Sequence, residues 1–323
     1  MMRQNVRYVV YSTDDNYAPY AGTSIVSLAK NNLCSEFVVF IIAYHLSDAN
    51  KEQLLVIENL CNNIKIEFVD FERYSKLLKL NMPWEISISS YARLFLAEIL
   101  PTYIDTVLYL DCDTVVVNTL DDLFNIDIKD VYVAGVEDTV SVDTKNAVGI
   151  SDNHLYVNAG VLLVNLKMWR QKSLTSQFLK FIAQHNGCVI HHDQGVINGV
   201  CAQFLEVLPV KYNVTTMLYM LSYKNMIKFA GLNDYVYSES EIVDGCMHPT
   251  IIHYTPCFTV RPWVKGCCHP QKHEYDNYYK QSPWKNCETN QNTERWYRRF
   301  YGWTYRKLPF AMAQILWGWK KKR

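Results

Sequence analysis

Long apolar runs are missing from this sequence. Among its 323 residues, 49% are hydrophobic, yet no stretch approaches the roughly 20 consecutive apolar residues that span a bilayer. Residues 1–5 are polar and the first apolar run, residues 8–11, is short, so we expect no signal peptide. Repeats and biased tracts are also missing, which excludes a disordered or fibrous chain. The length fits one large α/β domain, or one domain with an appendage.

Glycine-rich phosphate loops are missing as well. None of the twelve glycines forms a G-x-G-x-x-G motif, and no Gly-Lys-Ser/Thr sequence follows an apolar run. Both motifs bring a backbone close to a phosphate at a helix N-terminus. Their absence argues against a Rossmann dehydrogenase and against a P-loop nucleotide hydrolase.

Ten cysteines are too few for a disulfide scaffold of this length. Cys112 and Cys201 lie inside strand and helix patterns, as expected of buried reduced thiols. One cluster of Cys and His residues has spacings that match no standard zinc pairing, so zinc is disfavoured there: Cys246, His248, Cys257, Cys267, Cys268 and His269. We expect a reduced, cytosolic setting.

Acidic residues are missing from the last part of the chain. Lys+Arg and Asp+Glu both total 32, but residues 295–323 contain nine Lys/Arg and no Asp/Glu. Residues 1–294 therefore carry a net charge of about −9. Four tryptophans, at positions 296, 303, 317 and 319, are interleaved with these cations. Aromatic rings favour the membrane interface, and each nearby cation contributes roughly 1 kcal/mol on an anionic leaflet. We predict attachment to the inner face of the cell membrane; a solvated terminal helix is the alternative, and the acidic body opposes nucleic-acid binding.

Strand and helix patterns alternate along most of the chain. Apolar runs predict strands at residues 7–12, 36–43, 65–69, 106–110, 131–136 and 159–165, and helical periodicity occurs at 20–31, 47–60 and 89–100. Strands separated by helices predict a mostly parallel sheet flanked by helices. The composition changes near residue 270, so we predict a catalytic domain at 1–270 and a small helical, basic and aromatic extension at 271–323.

The strongest local feature is the sequence YLDCDTVVV at residues 109–117. An apolar strand that runs into Asp111 and Asp113 places two carboxylates at the carboxyl edge of a sheet, where ligands collect in open α/β folds. Two oxygen ligands on one turn suit Mg²⁺ or Mn²⁺ bound with a diphosphate. A solvated strand end, with Asp111 capping a turn, is the structural alternative.

Two further polar features follow apolar segments. His191, His192, Asp193 and Gln194 lie at a predicted helix start, where Asp193 alone could be explained as a cap. A short apolar strand at 251–253 ends in His253 and is followed by an irregular segment. A lone histidine at a strand end is more often structural, but an imidazole beside two carboxylates favours Mn²⁺ over Mg²⁺.

Together these motifs resemble glycosyltransferase family 8, the retaining nucleotide-sugar transferases that include bacterial lipopolysaccharide galactosyl- and glucosyltransferases. Six segments match in the family's order: STDDNYA at 12–18, SSYARLFLAEIL at 89–100, VLYLDCDTVVV at 107–117, VNAGVLLVNLKMWR at 157–170, HHDQGVIN at 191–198 and IHYTP…RPW from 252. The resemblance covers nearly the whole chain. It implies a GT-A type nucleotide-sugar-binding fold and transfer of a hexose from a UDP-sugar to a glycan or lipid-linked acceptor.

The resemblance also implies a role for each matched residue. Asp111, Asp113 and His253 match the three protein ligands of Mn²⁺. Asp14 and Asn16 match positions that contact uracil and ribose, with Ser12 nearby through its backbone. The residues that match positions around the donor sugar are Arg93, Asn158, Asp193 and Gln194, and Asp138 matches an acceptor-side or sugar-side carboxylate. Cys112 and Ala159 complete the predicted donor contacts. Two departures concern the phosphate loop: Pro256 and Arg261 stand where the family usually has Gly and Lys, and the segment between His253 and Arg261 is two residues longer.

The chemistry follows from the charge that develops as the anomeric C–O bond breaks. A divalent cation, helped by Arg261, would stabilise the leaving UDP. Retention of the configuration at the anomeric carbon could come from double displacement or from front-face attack. Gln194 is a poor nucleophile because its amide oxygen is weak, and Asp193 is the better one chemically. We favour front-face attack with Gln194 as a positioning group.

Two other functions remain open from the residues alone. LDCDTV also resembles the phosphatase signature of the haloacid dehalogenase superfamily, although about 110 residues of α/β pattern precede it here. A non-catalytic nucleotide-sugar-binding protein is the other alternative, but it would not need the two aspartates, His253 and the Asp193–Gln194 pair. Metal-dependent turnover of a UDP-sugar separates the three.

Overall fold

The computed structural model describes residues 6–81, 87–151, 153–232 and 235–318. Its strands follow the apolar runs of the sequence. They are β1 (Arg7–Thr13), β2 (Phe37–Ala43), β3 (Ile64–Asp70), β4 (Thr106–Leu110), β5 (Thr114–Val116), β6 (Val133–Glu137), β7 (Val157–Asn165), β8 (Leu205–Val207), β9 (Val214–Thr215) and β10 (Ile251–His253).

The helices surround these strands and vary from single turns to 13 residues. They are α1 (Ala18–Lys30), α2 (Asp48–Leu60), α3 (Glu72–Ser75), α4 (Leu96–Ile99), α5 (Asp121–Phe124), α6 (Val142–Ala147), α7 (Leu166–Gln171), α8 (Leu174–Gln184), α9 (His192–Cys201), α10 (Thr216–Met220), α11 (Tyr223–Ala230), α12 (Glu239–Met247), α13 (Lys272–Tyr279), α14 (Trp296–Lys307) and α15 (Phe310–Gly318).

The main sheet has the order β3-β2-β1-β4-β7-β6-β8. Its pairings are parallel except those of β7, which runs antiparallel to both β4 and β6. Neighbouring residues of one strand face opposite sides, so Val9 and Val10 of β1 belong to different hydrophobic clusters. Burial on both faces explains why central strands such as β2 and β7 are apolar almost throughout. The predicted mostly parallel sheet flanked by helices is confirmed.

A smaller sheet, with the order β5-β10-β9, lies beside the carboxyl end of β4. In it His253 pairs with Thr114 of β5 and with Thr215 of β9. Because β5 follows the turn after β4, this pairing brings the end of β10 to Asp111 and Asp113. Two segments that are 140 residues apart in sequence therefore meet at one edge of the main sheet.

The segment that precedes β4 differs from its prediction as a single helix. Residues Ile88–Phe95 form a 3₁₀ helix, and only Leu96–Ile99 are α-helical. Ser90 bonds locally, since its hydroxyl donates to the Ser87 carbonyl, and its own carbonyl accepts from Arg93 Nε. Such side-chain bonds to the backbone compete with the α-helical pattern.

Residues after 270 pack on the rest of the chain through α13 and the segment behind it. Tyr275 and Tyr278 are buried in a cluster with Tyr20 and Ala21 of α1, and the Trp284 ring lies against α1 at Gly22. Helices α14 and α15 contact each other. Among the described residues, no helix is both long enough and apolar enough to cross a membrane.

Candidate active site

A cavity of about 520 Å³ lies at the carboxyl end of β4. It is bordered by the turn after β4, the 3₁₀ helix, the start of β7, the N-terminus of α9 and the loop after β10. Its lining includes eleven of the residues predicted from the sequence: Ser12, Arg93, Asp111, Cys112, Asp113, Asn158, Ala159, Asp193, Gln194, His253 and Arg261.

Asp111, Asp113 and His253 form a compact group of possible metal ligands. One ligand atom from each lies within 4.8 Å of the others. His253 Nε2 is 3.1 Å from Asp113 Oδ1 and 3.9 Å from Asp111 Oδ2. Asp113 and His253 are buried, whereas Asp111 is partly open to the cavity. Two carboxylates and one imidazole fit a divalent cation such as Mn²⁺.

Asn213 and Asn158 determine which nitrogen of His253 faces the carboxylates. Asn158 Oδ1 accepts from the Gly160 backbone N–H at 3.0 Å and from Asn213 Nδ2 at 2.9 Å. Asn213 Oδ1 therefore faces His253 Nδ1, at 3.0 Å, and accepts its proton. This bond leaves Nε2 as the nitrogen available to a metal, the usual arrangement for a ligating histidine.

Charges around Asp113 hold it ionised. Burial alone would raise the pKa of Asp113, but the charges and hydrogen bonds of His253 and Arg261 outweigh burial and lower it well below the ordinary value. Arg261 Nε donates to Asp113 Oδ2 at 2.9 Å. Burial would lower the pKa of His253, but Asp113 raises it above the ordinary value.

Arg93 joins the two sides of the cavity. It is buried, its Nη2 donates to Asp111 Oδ1 at 2.7 Å, and its Nε lies 2.9 Å from Asp193 Oδ2. Its Nη1 donates to the Ala159 carbonyl. Burial raises the pKa of Asp193, although Arg93 opposes the shift. Asp193 lies in the first turn of α9 as part of this ion pair and is not the N-cap, which is His191.

A second hydrogen-bonded layer lies behind Asn158. Asp138 Oδ2 accepts from Asn158 Nδ2 at 3.0 Å and from Gln194 Nε2 at 2.9 Å. The Gln194 amide oxygen accepts from the Ala159 backbone N–H at 3.0 Å. The protein therefore orients this amide, which holds a fixed position in the cavity wall.

Gly160 allows the close approach of β7 to the metal ligands. A Cβ at this position would lie 2.1 Å from His253 Cε1 and 2.9 Å from Asp111 Oδ2. The Gly160 carbonyl accepts a hydrogen bond from the Asp111 backbone N–H at 2.8 Å. Any side chain here would push the metal ligands apart.

Three predicted residues lie outside the cavity lining. Asp138 acts through Asn158 and Gln194, as described above. Asp14 and Asn16 lie at the rim: Asp14 Oδ1 accepts from the Asn16 backbone N–H at 3.0 Å, and Asp14 Oδ2 accepts from Ser87 Oγ at 2.8 Å. Ser12 and Cys112 are joined, since the Cys112 thiol donates to the Ser12 carbonyl at 3.2 Å.

Sequence reasoning missed several residues of the cavity wall. Most of them lie inside the matched motifs, namely Tyr17, Ser89, Ser90, Tyr109, Gly160, His191, His192, Thr255 and Pro256, whereas Ser87 lies two residues before one. In the sequence these residues lie close to the predicted site residues, and that proximity was the signal that could have identified them. Asn213 had no such signal, because it lies in a segment without a recognisable motif and acts only through His253.

A mostly parallel α/β sheet with an Asp-x-Asp turn and a histidine at its carboxyl edge defines the class of the protein: a glycosyltransferase of the GT-A fold. The chain belongs to glycosyl transferase family 8, whose family model matches residues 8–267. The family predicted from the motifs is thus confirmed, and membership replaces the phosphatase interpretation of LDCDTV.

Similar proteins include transferases of bacterial surface glycans. The chain is 29% identical over 287 residues to a lipopolysaccharide 1,2-glucosyltransferase of Escherichia coli. The matched region covers 86% of this chain and 79% of that protein. A Haemophilus influenzae protein described as a glycosyltransferase is 30% identical over 221 residues, 64% of this chain and 63% of its own length. The crystal structure of the galactosyltransferase LgtC with donor and acceptor sugar analogues superposes on this chain with a TM-score of 0.72 and 24% sequence identity. The superposition covers 86% of this chain and 99% of LgtC. This last likeness supports the GT-A fold.

Proposed function

We propose that the protein transfers a hexose, glucose or galactose, from a UDP-sugar to a saccharide acceptor of the bacterial surface, such as lipopolysaccharide. The observation that carries the proposal is the group of Asp111, Asp113 and His253 at the carboxyl edge of the sheet. These residues would hold a divalent cation, best Mn²⁺, which would supply Lewis-acid stabilisation of the diphosphate. The names of the relatives support a surface-glycan acceptor.

The remaining cavity residues would bind and orient the donor. Asp14 and Asn16, at the rim, would contact the uracil and ribose, with Ser12 and Cys112 beneath them. Arg261, next to the metal ligands, would pair with the diphosphate as charge leaves the sugar. Its guanidinium already lies within 6.0 Å of the Tyr17 ring and 5.8 Å of the Trp263 ring, which limits its positions.

The sugar would lie in the part of the cavity that Arg93, Asn158, Ala159, Asp193 and Gln194 line. We propose front-face attack, in which the acceptor hydroxyl enters on the side that the phosphate leaves. Gln194 supports this choice because both ends of its amide are already hydrogen-bonded. Asp193 is held by Arg93, which favours a positioning role over a nucleophilic one.

UDP release from UDP-glucose and UDP-galactose, with and without Mn²⁺, tests this function. Wild type should hydrolyse one donor slowly and only with metal, whereas Asp113→Ala should lose at least 100-fold of that rate, since removing one buried ligand breaks the metal site. Asp127→Ala, on the surface and paired with Lys129, is the matched control. Donor binding without turnover on any acceptor would favour a non-catalytic binding protein.

We further propose that the chain works in the cytoplasm, attached to the inner face of the membrane through α15 and the basic end of the chain. Met312, Ile315 and Leu316 of α15 are between 52% and 68% exposed, and all ten cysteines are free thiols. The Lys320–Arg323 end lies outside the described residues. Cosedimentation with phosphatidylglycerol vesicles should be strong for the full chain and weak for a chain ending at Glu294; equal binding would reject the proposal.

A further inference from the structure

A cavity larger than the candidate active site lies on the other side of the loop after β10. Its volume is about 1140 Å³, and both this loop and α14 contribute to its lining. We term it the α14 cleft. Pro256 lines both this cleft and the cavity of the candidate active site. The cleft therefore begins where an acceptor would reach the donor sugar.

The walls of the α14 cleft combine aromatic rings with positive charge. Its aromatic residues are Phe258, Trp296, Phe300, Tyr301 and Trp303, and its charged residues are Lys265, Arg298, Arg299, Arg306 and one acid, Glu294. Trp296 is 72% exposed, Phe300 45% and Trp303 44%. Exposed flat rings offer platforms on which the apolar faces of sugar rings can stack.

The cations of the cleft are available to a ligand. In the described parts of the chain, no carboxylate lies within ion-pairing distance of Lys265, Arg298 or Arg299. Arg306 is used differently, because its guanidinium donates to the Phe258 carbonyl and fixes the wall. Four cations facing one carboxylate favour an anionic ligand. Arginine forks match phosphate oxygens in particular.

The wall itself is built to a fixed shape. Phe258 adopts φ +56°, a left-handed conformation that is costly for an aromatic residue. Its ring stacks on Tyr305 at 4.4 Å between centroids and contacts Phe229 at 5.2 Å. Because Tyr305 belongs to α14, this packing fixes the loop against the helix, and the cleft beside that contact has a fixed shape.

We propose that the α14 cleft binds a phosphate-bearing part of the saccharide acceptor, next to the sugar that receives the hexose. The inference rests on the proposed function, which provides an acceptor and a point of entry beside Pro256. Arg298 and Arg299 pair with the phosphate, and the tryptophans and Phe300 stack on the adjoining sugars. Lys265 contributes further positive charge from the opposite wall.

Calorimetry with one saccharide in two forms tests the proposal. The probe is the deacylated core oligosaccharide of Escherichia coli lipopolysaccharide, either with its phosphates or after their chemical removal. Wild type should bind the phosphorylated form at least tenfold more tightly. Arg298→Ala/Arg299→Ala should lose that preference, and Arg298→Lys/Arg299→Lys should recover part of it, since lysine keeps the charge without the fork.

Arg295→Ala/Lys307→Ala is the matched control. Both residues belong to the same basic segment but do not line the cleft, so this variant should keep the preference for phosphate. Equal affinity for the two forms, or a preference that survives Arg298→Ala/Arg299→Ala, would overturn the proposal. So would binding of phosphatidylglycerol vesicles, but of neither oligosaccharide, through these arginines. UDP release by wild type is measured in parallel: its absence alongside intact phosphate preference would contradict the proposed function and leave the cleft assignment standing.

Discussion

At the scale of single residues, the site depends on side chains that orient other side chains. Asn158 and Asn213 form a chain of hydrogen bonds that ends at His253. Each bond fixes the orientation of the next amide. Asn213, and Asn158 through Asn213, therefore determine which nitrogen of His253 faces the metal ligands Asp111 and Asp113.

Asn213→Ala tests this dependence. Loss of the bond to His253 Nδ1 frees the imidazole to change tautomer and to rotate, so affinity for Mn²⁺ should fall 10- to 100-fold. Manganese binding measured by electron paramagnetic resonance reports the loss directly.

Asn165→Ala is the matched control for this change. Asn165 is also buried, and its side chain bonds to the Ile128 carbonyl and the Met168 N–H, away from the metal ligands. The Asn165→Ala variant should be less stable than wild type and should keep the wild-type affinity for Mn²⁺. Equal affinity losses in the two variants would mean that Asn213 acts only through folding.

His269 gives a second residue-scale prediction, for stability. Burial lowers the pKa of His269 to about 4, and its Nδ1 accepts from the Gln271 N–H at 3.1 Å. The unfolded chain, with an ordinary pKa near 6.5, binds a proton first as the pH falls. The free energy of unfolding should therefore drop by about 2 kcal/mol between pH 7.5 and pH 5 because of this residue.

Urea unfolding of wild type and His269→Gln at both pH values measures that contribution. The variant has no ionisable group at this position, so its stability should fall less on acidification. If wild type and variant lose the same free energy between the two pH values, the histidine is not held neutral in the folded protein.

At the scale of elements, α14 supports the loop that joins β10 to Arg261. Gly302 faces the Phe258 carbonyl, and a Cβ there would lie 2.5 Å from that oxygen. The loop between His253 and Arg261 is therefore seated on a helix far from it in sequence. A change in α14 should reach the donor site through this contact.

Gly302→Ala separates helix propensity from packing. Alanine alone would stabilise an interior helical position by about 1 kcal/mol, whereas overpacking against the Phe258 carbonyl should cost about 1–3 kcal/mol. We expect a lower melting temperature and a raised KM for the UDP-sugar. Lys307→Ala, at an exposed position of the same helix, should change neither. A more stable Gly302→Ala variant would show that α14 is not seated on the loop.

Six of the seven strands of the main sheet could be predicted from sequence, most clearly β2 and β7, because burial on both faces makes them continuously apolar. The seventh strand, β8, was not predicted, since it has only three residues. The small sheet was harder, since β5 and β9 are only three and two residues long. Helices α10 to α12 lie where the periodicity weakens, and capping signals such as Ser238 with Glu241 were the available guide. Site residues inside motifs were predictable, whereas Asn213 reaches the site only through tertiary pairing.

At the scale of the whole molecule, the predicted division at residue 270 can be tested by where truncation is tolerated. A chain ending at Glu294 keeps Tyr275, Tyr278 and Trp284 on α1. A chain ending at residue 270 uncovers that face, and each large buried side chain lost costs roughly 1.5–3 kcal/mol.

We therefore expect the chain ending at Glu294 to unfold cooperatively and the chain ending at residue 270 to be markedly less stable. Circular dichroism melting of both, beside the full chain, is the measurement. Equal melting temperatures would place the boundary at 270 and make the later segment an independent appendage.

The charge balance of the site has a thermodynamic consequence. Three carboxylates, Asp111, Asp113 and Asp193, face the side chains of Arg93, Arg261 and His253. A divalent cation bound here would add two positive charges beside Arg93 and Arg261, which an anionic diphosphate could neutralise. The two ligands would then be energetically linked, and each would tighten the binding of the other by the same factor. In a cell, donor supply would thus set the concentration of divalent cation at which the site becomes loaded.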